Sequence, residues 1–214
     1  MKIISTKDVI SDGCKMLLYG ASGAGKTTLI ASAPDPFIIS SESGLLSLAD
    51  YDIPAVEVNN EKELDEAYEY AVKSDHATIA VDSLSDIAEA ILLEYKGKYT
   101  DARQAYGKLQ DIVGKYVRLF RDIKGKNVVV TAKEARIDLN GTIVLQPSMP
   151  GQTLTNNIPY FFDLLLRLEA TKKGDRIIHT AMTFTQICKD RSGKLDKTEK
   201  PNLASIFNKI VGDK

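Results

Sequence analysis

The sequence has few of the residues that build disulfide frameworks, metal clusters or membrane spans. Of 214 residues, two are cysteine, two are histidine and none is tryptophan. Cys14 and Cys188 form no CxxC pair, which excludes a cysteine-built zinc site and favours reduced thiols in a cytoplasm-like compartment. No apolar run reaches the ~18 residues of a membrane-spanning helix. The start, Met1–Thr6, is too short and polar for a signal peptide. We therefore expect a cytoplasmic protein with no membrane partner.

Charge is nearly balanced overall but unevenly distributed. The chain has 28 basic and 29 acidic residues, a net charge of −1. Residues 35–94 carry a net charge of −13, whereas 95–126 carry +6 and 165–214 carry +5. Two basic blocks on an otherwise acidic chain can form a one-sided anion-binding surface. Ordinary solvated helix faces are the alternative explanation.

Apolar runs and helical periods alternate through residue 132, which is typical of a mostly parallel sheet with helices on both faces. The last third is richer in hairpins, beginning with Asn140-Gly141. We predict one α/β domain over residues 1–214 with an antiparallel C-terminal extension. Strands are predicted at 15–19, 37–39, 55–58, 78–82, 128–132, 161–168 and 176–185, and the arms of the hairpin at 135–138 and 142–146. Helices are predicted at 27–33, 44–49, 60–72, 83–95, 102–120 and 203–211.

The strongest functional signal is a phosphate-binding loop that follows a predicted strand and precedes a helix. Its glycines let the backbone turn its N–H groups inward around an anion, and the next helix presents its positive end to the same anion. We expect Lys26 to reach the β- and γ-phosphates, Thr27 to bind Mg²⁺ and Thr28 to lie near the α-phosphate. ATP and Mg²⁺ are the predicted cofactors. The nucleotide-binding residues are Gly20, Ala21, Ser22, Gly23, Ala24, Gly25, Lys26, Thr27 and Thr28.

Two carboxylates follow predicted strands and complete this site. Asp82 ends the strand 78–82, where a phosphate-binding loop needs a carboxylate for the Mg²⁺ shell. Its alternative role is to cap the helix that begins after it. Glu42 follows the strand 37–39, where it could orient the water that attacks the γ-phosphate. A surface glutamate is an equally good interpretation.

These segments together resemble the RecA-like core of recombination ATPases, and most of all small nucleotide-binding proteins of bacteriophages in that group. The matching segments are the phosphate-binding loop, Ser41-Glu42-Ser43-Gly44, Ile79-Ala80-Val81-Asp82-Ser83, Val128–Glu134 and, more weakly, Pro150-Gly151 to Leu168 and Cys188-Lys189-Asp190-Arg191. The resemblance implies a P-loop NTPase fold of RecA-like type that hydrolyses ATP, with Glu42 and Lys26 as catalytic residues. Lys133 or Glu134 replaces the usual polar γ-phosphate sensor.

The same resemblance implies assembly and a nucleic-acid partner. Lys189 and Arg191 would act on the ATP of a neighbouring subunit, as arginine fingers do, in a homo-oligomer with ATP at its interfaces; an exposed basic turn is the alternative. A first loop for single-stranded DNA would fall where cations alternate with tyrosines, at Lys96, Lys98, Tyr99 and Arg103. A second would lie around Asn140-Gly141 and residues 148–155. Plain surface residues remain the alternative for both loops.

The sequence therefore predicts an Mg²⁺-dependent, DNA-stimulated ATP hydrolase of phage DNA recombination or single-strand annealing, oligomeric on single-stranded DNA. Two other classes explain the phosphate-binding loop and Asp82 equally well. One is a small-molecule P-loop kinase, which would need an acceptor site. The other is a nucleotide-dependent assembly switch without hydrolysis.

Overall fold

The computed structural model describes residues 13–41 and 44–212, and these form a mixed α/β structure around a sheet of ten strands. The strands are β1 (Lys15–Gly20), β2 (Pro36–Ser40), β3 (Ala55–Glu57), β4 (Thr78–Asp82), β5 (Asn127–Leu139), β6 (Thr142–Ser148), β7 (Leu164–Ala170), β8 (Arg176–His179), β9 (Lys189–Asp190) and β10 (Thr198–Glu199). The α-helices are α1 (Lys26–Ile30), α2 (Glu61–Lys73), α3 (Leu84–Lys96), α4 (Ala102–Arg121), α5 (Gln152–Phe161) and α6 (Leu203–Val211), and a 3₁₀ helix covers Gly44–Leu48.

The centre of the sheet is parallel, as predicted. Strands β7, β1, β5, β4, β2 and β3 lie side by side in that order, and every neighbouring pair among them is parallel. Antiparallel strands extend this core, because β8 pairs with β7, β10 with β8, and β6 with β5. The carboxyl ends of the parallel strands therefore share one edge of the sheet, where ligands bind in open α/β folds.

Helices cover both faces of the sheet, as expected from its buried strands. On β1, Leu17 and Tyr19 face a core that includes α2, α3, α4 and α5. Met16 and Leu18 point to the opposite core, with Leu29 of α1 and three residues of α6. This alternation follows from the two-residue period of a strand. No helix among residues 13–41 and 44–212 has the length and apolarity required to cross a bilayer.

In the second half of the chain one helix was not predicted and two predicted strand boundaries were wrong. Residues 152–161, partly assigned to a loop, form α5, and the strand predicted from 161 begins only at Leu164. The sequence pattern did not indicate α5, because the helix starts directly after Gly151 and contains Pro159. β8 ends at His179 rather than at 185, and the hydroxyl of the next residue, Thr180, donates to the Asp196 carbonyl at 2.5 Å.

β5 is a single long strand that leaves the sheet and becomes the first arm of a hairpin. It pairs with β6 from Lys133–Ser148 to Leu139–Thr142. Asn140 and Gly141 connect the arms with φ of 55° and 83°, the positive values that a two-residue hairpin turn requires. The Asn-Gly hairpin is thus present, and it projects beyond the carboxyl edge of the sheet.

Candidate nucleotide-binding site

The phosphate-binding loop joins β1 to α1 at the carboxyl edge of the sheet. Gly23 and Gly25 have φ of 77° and 94°, in the left-handed region that glycine adopts without strain. A Cβ on Gly20 would lie 2.5 Å from the Leu168 carbonyl oxygen, so only glycine allows this close approach of two strands. α1 is short, but 3₁₀-type hydrogen bonds continue the turn through Ala33.

Lys26 and Thr27 lie at the mouth of this loop, next to Asp82. The Lys26 Nζ donates to the carbonyls of Gly20 and Ala21, at 2.9 and 3.2 Å. The Thr27 hydroxyl donates to Asp82 Oδ2 at 2.6 Å, although 55 residues separate the two in sequence. The structure thus brings together the predicted phosphate ligand and the predicted Mg²⁺ ligands.

Asp82 is held in place from behind. Its side chain lies at the end of β4, only 7% exposed, and its Oδ1 accepts a 2.5 Å hydrogen bond from the Thr131 hydroxyl of β5. Thr131 is completely buried. A hydrogen bond from a buried neutral donor fixes the orientation of a carboxylate without neutralising it, which is how metal ligands are commonly supported.

A cleft of about 550 Å³ opens over these groups and has the shape and chemistry of a nucleotide site. The lining combines loop backbone, hydroxyls, one lysine and carboxylates, a donor set suited to a polyphosphate with Mg²⁺, which keeps few protein ligands. Among the described residues, no cluster of three His, Cys, Asp or Glu could hold a metal ion alone. The lining residues are Gly20, Ser22, Gly23, Gly25, Lys26, Thr27, Thr28, Ser47, Asp82, Ser83, Asp86, Lys133, Glu134 and Arg176.

Lys133, at the predicted sensor position, is held by two carboxylates of α3. Its Nζ lies 2.5 Å from Asp86 Oδ1 and 2.9 Å from Glu89 Oε2. Burial lowers the pKa of Lys133, but the hydrogen bonds that it donates to Asp86 and Glu89 outweigh burial and raise the pKa. The ammonium therefore stays charged at the rim of the cleft, and it is directed at carboxylates rather than at the loop.

Glu134 contacts the same cleft but belongs to a buried ion-pair network. Its side chain is 4% exposed and accepts a 2.8 Å hydrogen bond from Arg167 Nε. Arg167 also donates to Glu169 and Gln186, and Glu169 accepts from His179 at 2.6 Å. The hydrogen bond from His179, and then those from Arg167, lower the pKa of Glu169. The ion pair with Arg167 therefore fixes the Glu134 side chain at the wall of the cleft.

Glu42, the predicted catalytic base, lies outside the described residues, and so does Ser43. The chain on either side is described. Ser40 ends β2 opposite Asp82 of β4 in the parallel register. The next hydroxyl, Ser41 Oγ, is buried with no hydrogen-bond partner among the described residues. A buried hydroxyl without a protein partner is suited to a bound water.

Lys189 and Arg191 lie at the opposite edge of the sheet. β9 pairs with Leu164–Leu165 at the start of β7, whose neighbour is the beginning of β1. The phosphate-binding loop follows the other end of β1, so ~13 Å of strand separates the two places. Lys189 Nζ donates to the Pro159 carbonyl at 2.7 Å, and Arg191 pairs with Asp163 at 3.0 Å. Neither side chain reaches the site of its own chain.

The predicted DNA residues lie together between α3 and α4 as a basic, tyrosine-rich cluster that we call the α3–α4 cluster (Lys96, Lys98, Tyr99 and Arg103). Tyr99 stacks on Tyr95 with ring centroids 6.1 Å apart, and Lys96 lies over Tyr106 at 5.4 Å. Two of its cations are already paired, Lys98 with Glu94 at 2.5 Å and Arg103 with Asp101 at 3.3 Å. The cluster is compact, but its positive charge is partly compensated.

The site also contains residues that the sequence did not reveal. Thr131 supports Asp82, Asp86 and Glu89 hold Lys133, and Arg176 at the start of β8 lines the cleft. Arg176 donates from Nε to the Ala24 carbonyl at 3.0 Å, across 152 residues of chain. Thr131 and Arg176 stand in strands and Asp86 and Glu89 in α3, all in ordinary local contexts, and only tertiary packing brings them to the cleft.

The parallel sheet, the glycine-rich loop at its carboxyl edge and the Thr27–Asp82 contact define the P-loop class of nucleotide-binding proteins. The sequence matches the AAA domain family over residues 12–192, and the chain belongs to that family. Among solved structures it is similar to a KaiC-like protein from the hyperthermophilic archaeon Pyrococcus horikoshii OT3, with 14% identity, a TM-score of 0.49, and coverage of 78% of this chain and 79% of that one. Comparison with curated protein sequences gives no significant match.

Proposed function

We propose that this protein is an Mg²⁺-dependent ATPase of RecA-like type. The observation that carries the proposal is the 2.6 Å contact between Thr27 and Asp82 beside Lys26, since the loop and the end of β4 are 55 residues apart in sequence and meet at this site. Membership of the AAA domain family supports nucleotide hydrolysis. Bound Mg²⁺ would offset charge on the phosphate oxygens, with Thr27 and Asp82 holding it.

In the proposed hydrolysis, Glu42, Lys26 and the loop N–H groups each have a different role. Water attacks the γ-phosphorus, the bond to the β–γ bridging oxygen breaks, and ADP leaves. Glu42, which follows β2, accepts the proton of that water. Lys26 leaves the carbonyls of Gly20 and Ala21 and stabilises the charge that develops on the phosphates. Loop N–H groups hold the β-phosphate and keep the chain of phosphates in line.

We further propose that the protein acts on single-stranded DNA in phage recombination or strand annealing. In this proposal it forms an oligomer with ATP at the subunit interfaces. The α3–α4 cluster supports DNA contact, because cations beside the exposed Tyr99 ring suit phosphates and a stacked base. Lys189 and Arg191 lie far from the site of their own chain, so their predicted action on ATP requires the site of another copy.

The decisive test of the ATPase is a pair of substitutions measured for binding and for turnover. Glu42→Gln is expected to abolish ATP hydrolysis while ATP affinity is retained. Lys26→Ala is expected to lose nucleotide affinity with an unchanged circular dichroism spectrum. Unchanged turnover in Glu42→Gln would show that Glu42 is not the base, and unchanged ATP binding in Lys26→Ala would refute the nucleotide site. Phosphate transfer to a small acceptor in place of water would identify a kinase instead.

The DNA proposal needs a separate assay. ATPase rates are measured with and without single-stranded oligonucleotide, over a salt series, alongside sizing of the protein. We expect stimulation that weakens as salt rises, because phosphate contacts release counterions. The double variant Lys96→Ala/Lys98→Ala should lose stimulation, whereas Lys62→Ala, an exposed lysine of α2 paired with Glu66, should not. A monomeric protein whose ATPase rate is the same with and without single-stranded DNA would contradict this part of the proposal.

A further inference from the structure

A second cavity lies at the amino edge of the sheet, at the opposite end of β1 from the phosphate-binding loop. It encloses about 340 Å³, within the range of pockets that bind small molecules. Its walls come from five parts of the chain: the start of β1, the end of α4 with the turn that follows, the start of β7, the turn after β9 and the end of α6. We call this cavity, between Arg121, Leu164, Arg191 and Ile210, the amino-edge pocket.

The inner wall of the pocket is apolar. Ile123 and Leu164 are buried, and Ile210 and Val211 at the end of α6 pack against the same hydrophobic core as Leu164. All four side chains line the cavity. Such a wall favours a ligand with a hydrocarbon part, because covering apolar surface removes it from water.

The rim of the pocket is positively charged. Its lining contains five lysines or arginines and two aspartates, a net charge of +3. Both basic blocks of the sequence contribute, since the first supplies Arg121 and Lys124 and the second supplies Arg191 and Lys194. The folded chain therefore brings the two blocks together at this edge, around an apolar wall.

Two arginines of the rim are oriented by carboxylates. Arg121 donates from Nε and Nη2 to the two oxygens of Asp122, at 2.7 and 3.1 Å, and Arg191 donates from Nη1 to Asp163 at 3.0 Å. The hydrogen bonds to Asp122 raise the pKa of Arg121 against the effect of burial, and the nearby charge of Asp163 adds to the rise. Arg121 Nη1 and Arg191 Nη2 have no hydrogen bond to any described residue, so both guanidinium groups keep donors for a ligand.

We propose that the amino-edge pocket binds a small organic anion, whose acidic group lies between Arg121 and Arg191 and whose apolar part lies against Leu164 and Ile210. A planar guanidinium matches the oxygens of a carboxylate or a phosphate, and the net positive rim favours an anion over a cation. None of these residues lines the nucleotide cleft. The site is therefore separate from the one that the proposed function uses.

Occupancy of the pocket should regulate hydrolysis, and this step rests on the proposed function. Arg191 is the side chain that we assign to the ATP of a neighbouring subunit. A bound anion holds Arg191 at the amino edge of its own chain and withholds it from that ATP. The anion should therefore slow ATP hydrolysis by the oligomer without entering the nucleotide site.

The binding test is calorimetric titration of octanoate, octyl phosphate and octylammonium into the full chain without nucleotide. We expect the anions to bind at one site and octylammonium not to bind, and the two anions distinguish a carboxylate ligand from a phosphate ligand. Hexanoate should bind about tenfold more weakly than octanoate, because two buried CH₂ groups are lost. Arg121→Ala should weaken the anions about tenfold or more, and Arg121→Lys should recover part of the loss. The matched control is Arg118→Ala, in the same helix but outside the pocket, which should bind them normally.

The regulatory test is the ATPase rate at saturating ATP with and without octanoate. Octanoate should lower the rate of the wild type, whereas Arg121→Ala should start at the wild-type rate and respond only at higher octanoate. Octylammonium is the control for detergent action and should leave the wild type unchanged.

The outcomes separate this inference from the proposed function. The pocket is refuted if neither anion binds, if octylammonium binds as tightly as octanoate, or if Arg121→Ala binds octanoate with wild-type affinity. If octanoate binds and the ATPase rate does not change, the regulatory step is refuted and the pocket stands. If the wild type hydrolyses no ATP under any condition, the proposed function fails, and the calorimetric result still decides whether the pocket binds anions.

Discussion

The buried hydroxyl of Thr131 offers a sharp test of how Asp82 is prepared for Mg²⁺. Thr131→Val keeps the shape of the side chain but removes the 2.5 Å hydrogen bond to Asp82 Oδ1. Hydrogen bonds to charged groups contribute about 1.5–3 kcal/mol. If that energy is lost from the orientation of Asp82, the free Mg²⁺ needed for half-maximal ATPase should rise about 10- to 100-fold, the usual cost of removing a group that supports a metal ligand.

The assay is the initial ATPase rate at saturating ATP over a range of free Mg²⁺. Thr131→Ser keeps the hydroxyl and should need little more Mg²⁺ than the wild type. Thr78→Val is the matched control, since Thr78 is also fully buried and donates to the Pro34 carbonyl at 2.7 Å, but at the opposite end of β4 from Asp82. Thr78→Val should lower stability and leave the Mg²⁺ requirement unchanged. The reasoning is refuted if Thr131→Val and Thr78→Val respond to Mg²⁺ in the same way.

Two further predictions concern stability. Leu109→Ala removes a fully buried side chain from α4 and should cost about 2–5 kcal/mol in urea unfolding; a loss below about 1 kcal/mol would contradict the packing of this helix. Acid should weaken the Glu169–His179 contact, because the lowered pKa of Glu169 contributes stability above the unfolded value of about 4.3 that is lost as pH falls through the folded pKa. The stability difference between wild type and His179→Ala should therefore shrink as pH falls below about 4.3, and a constant difference would contradict it.

The sequence predicts the parts of this structure that local rules control. The phosphate-binding loop is visible because its glycines, lysine and threonine are needed within one turn of backbone. α4 is visible because its buried residues recur with the helical period. Asp82 is visible because a carboxylate directly follows a buried strand.

The remaining features depend on contacts between distant segments. Arg176 reaches Ala24 from 152 residues away, and Thr131 reaches Asp82 from 49 residues away. Neither has a local signature, because an arginine after a turn and a threonine in a strand fit many environments. α5 was missed for another reason: its start follows Pro150-Gly151 and Pro159 lies inside it, and these residues usually signal the absence of a helix.

The distance between Arg191 and the phosphate-binding loop makes the proposed assembly testable without a structure of the oligomer. Within one chain the two lie at opposite edges of the sheet, so Arg191 contributes to catalysis only if one copy presents its amino edge to the carboxyl edge of the next. Such a contact is head-to-tail, and each site combines the loop of one copy with the arginine of another.

Lys26→Ala and Arg191→Ala are then both expected to be inactive alone, for different reasons. A mixture still contains interfaces in which an intact loop meets an intact arginine, and random assembly gives about a quarter of the interfaces that composition. Equal mixing of the two variants should therefore restore a substantial fraction of ATPase activity. If the mixture is no more active than its components, or if Arg191→Ala alone hydrolyses ATP at the wild-type rate, Arg191 does not act on a neighbour, and its pairing with Asp163 is its structural role.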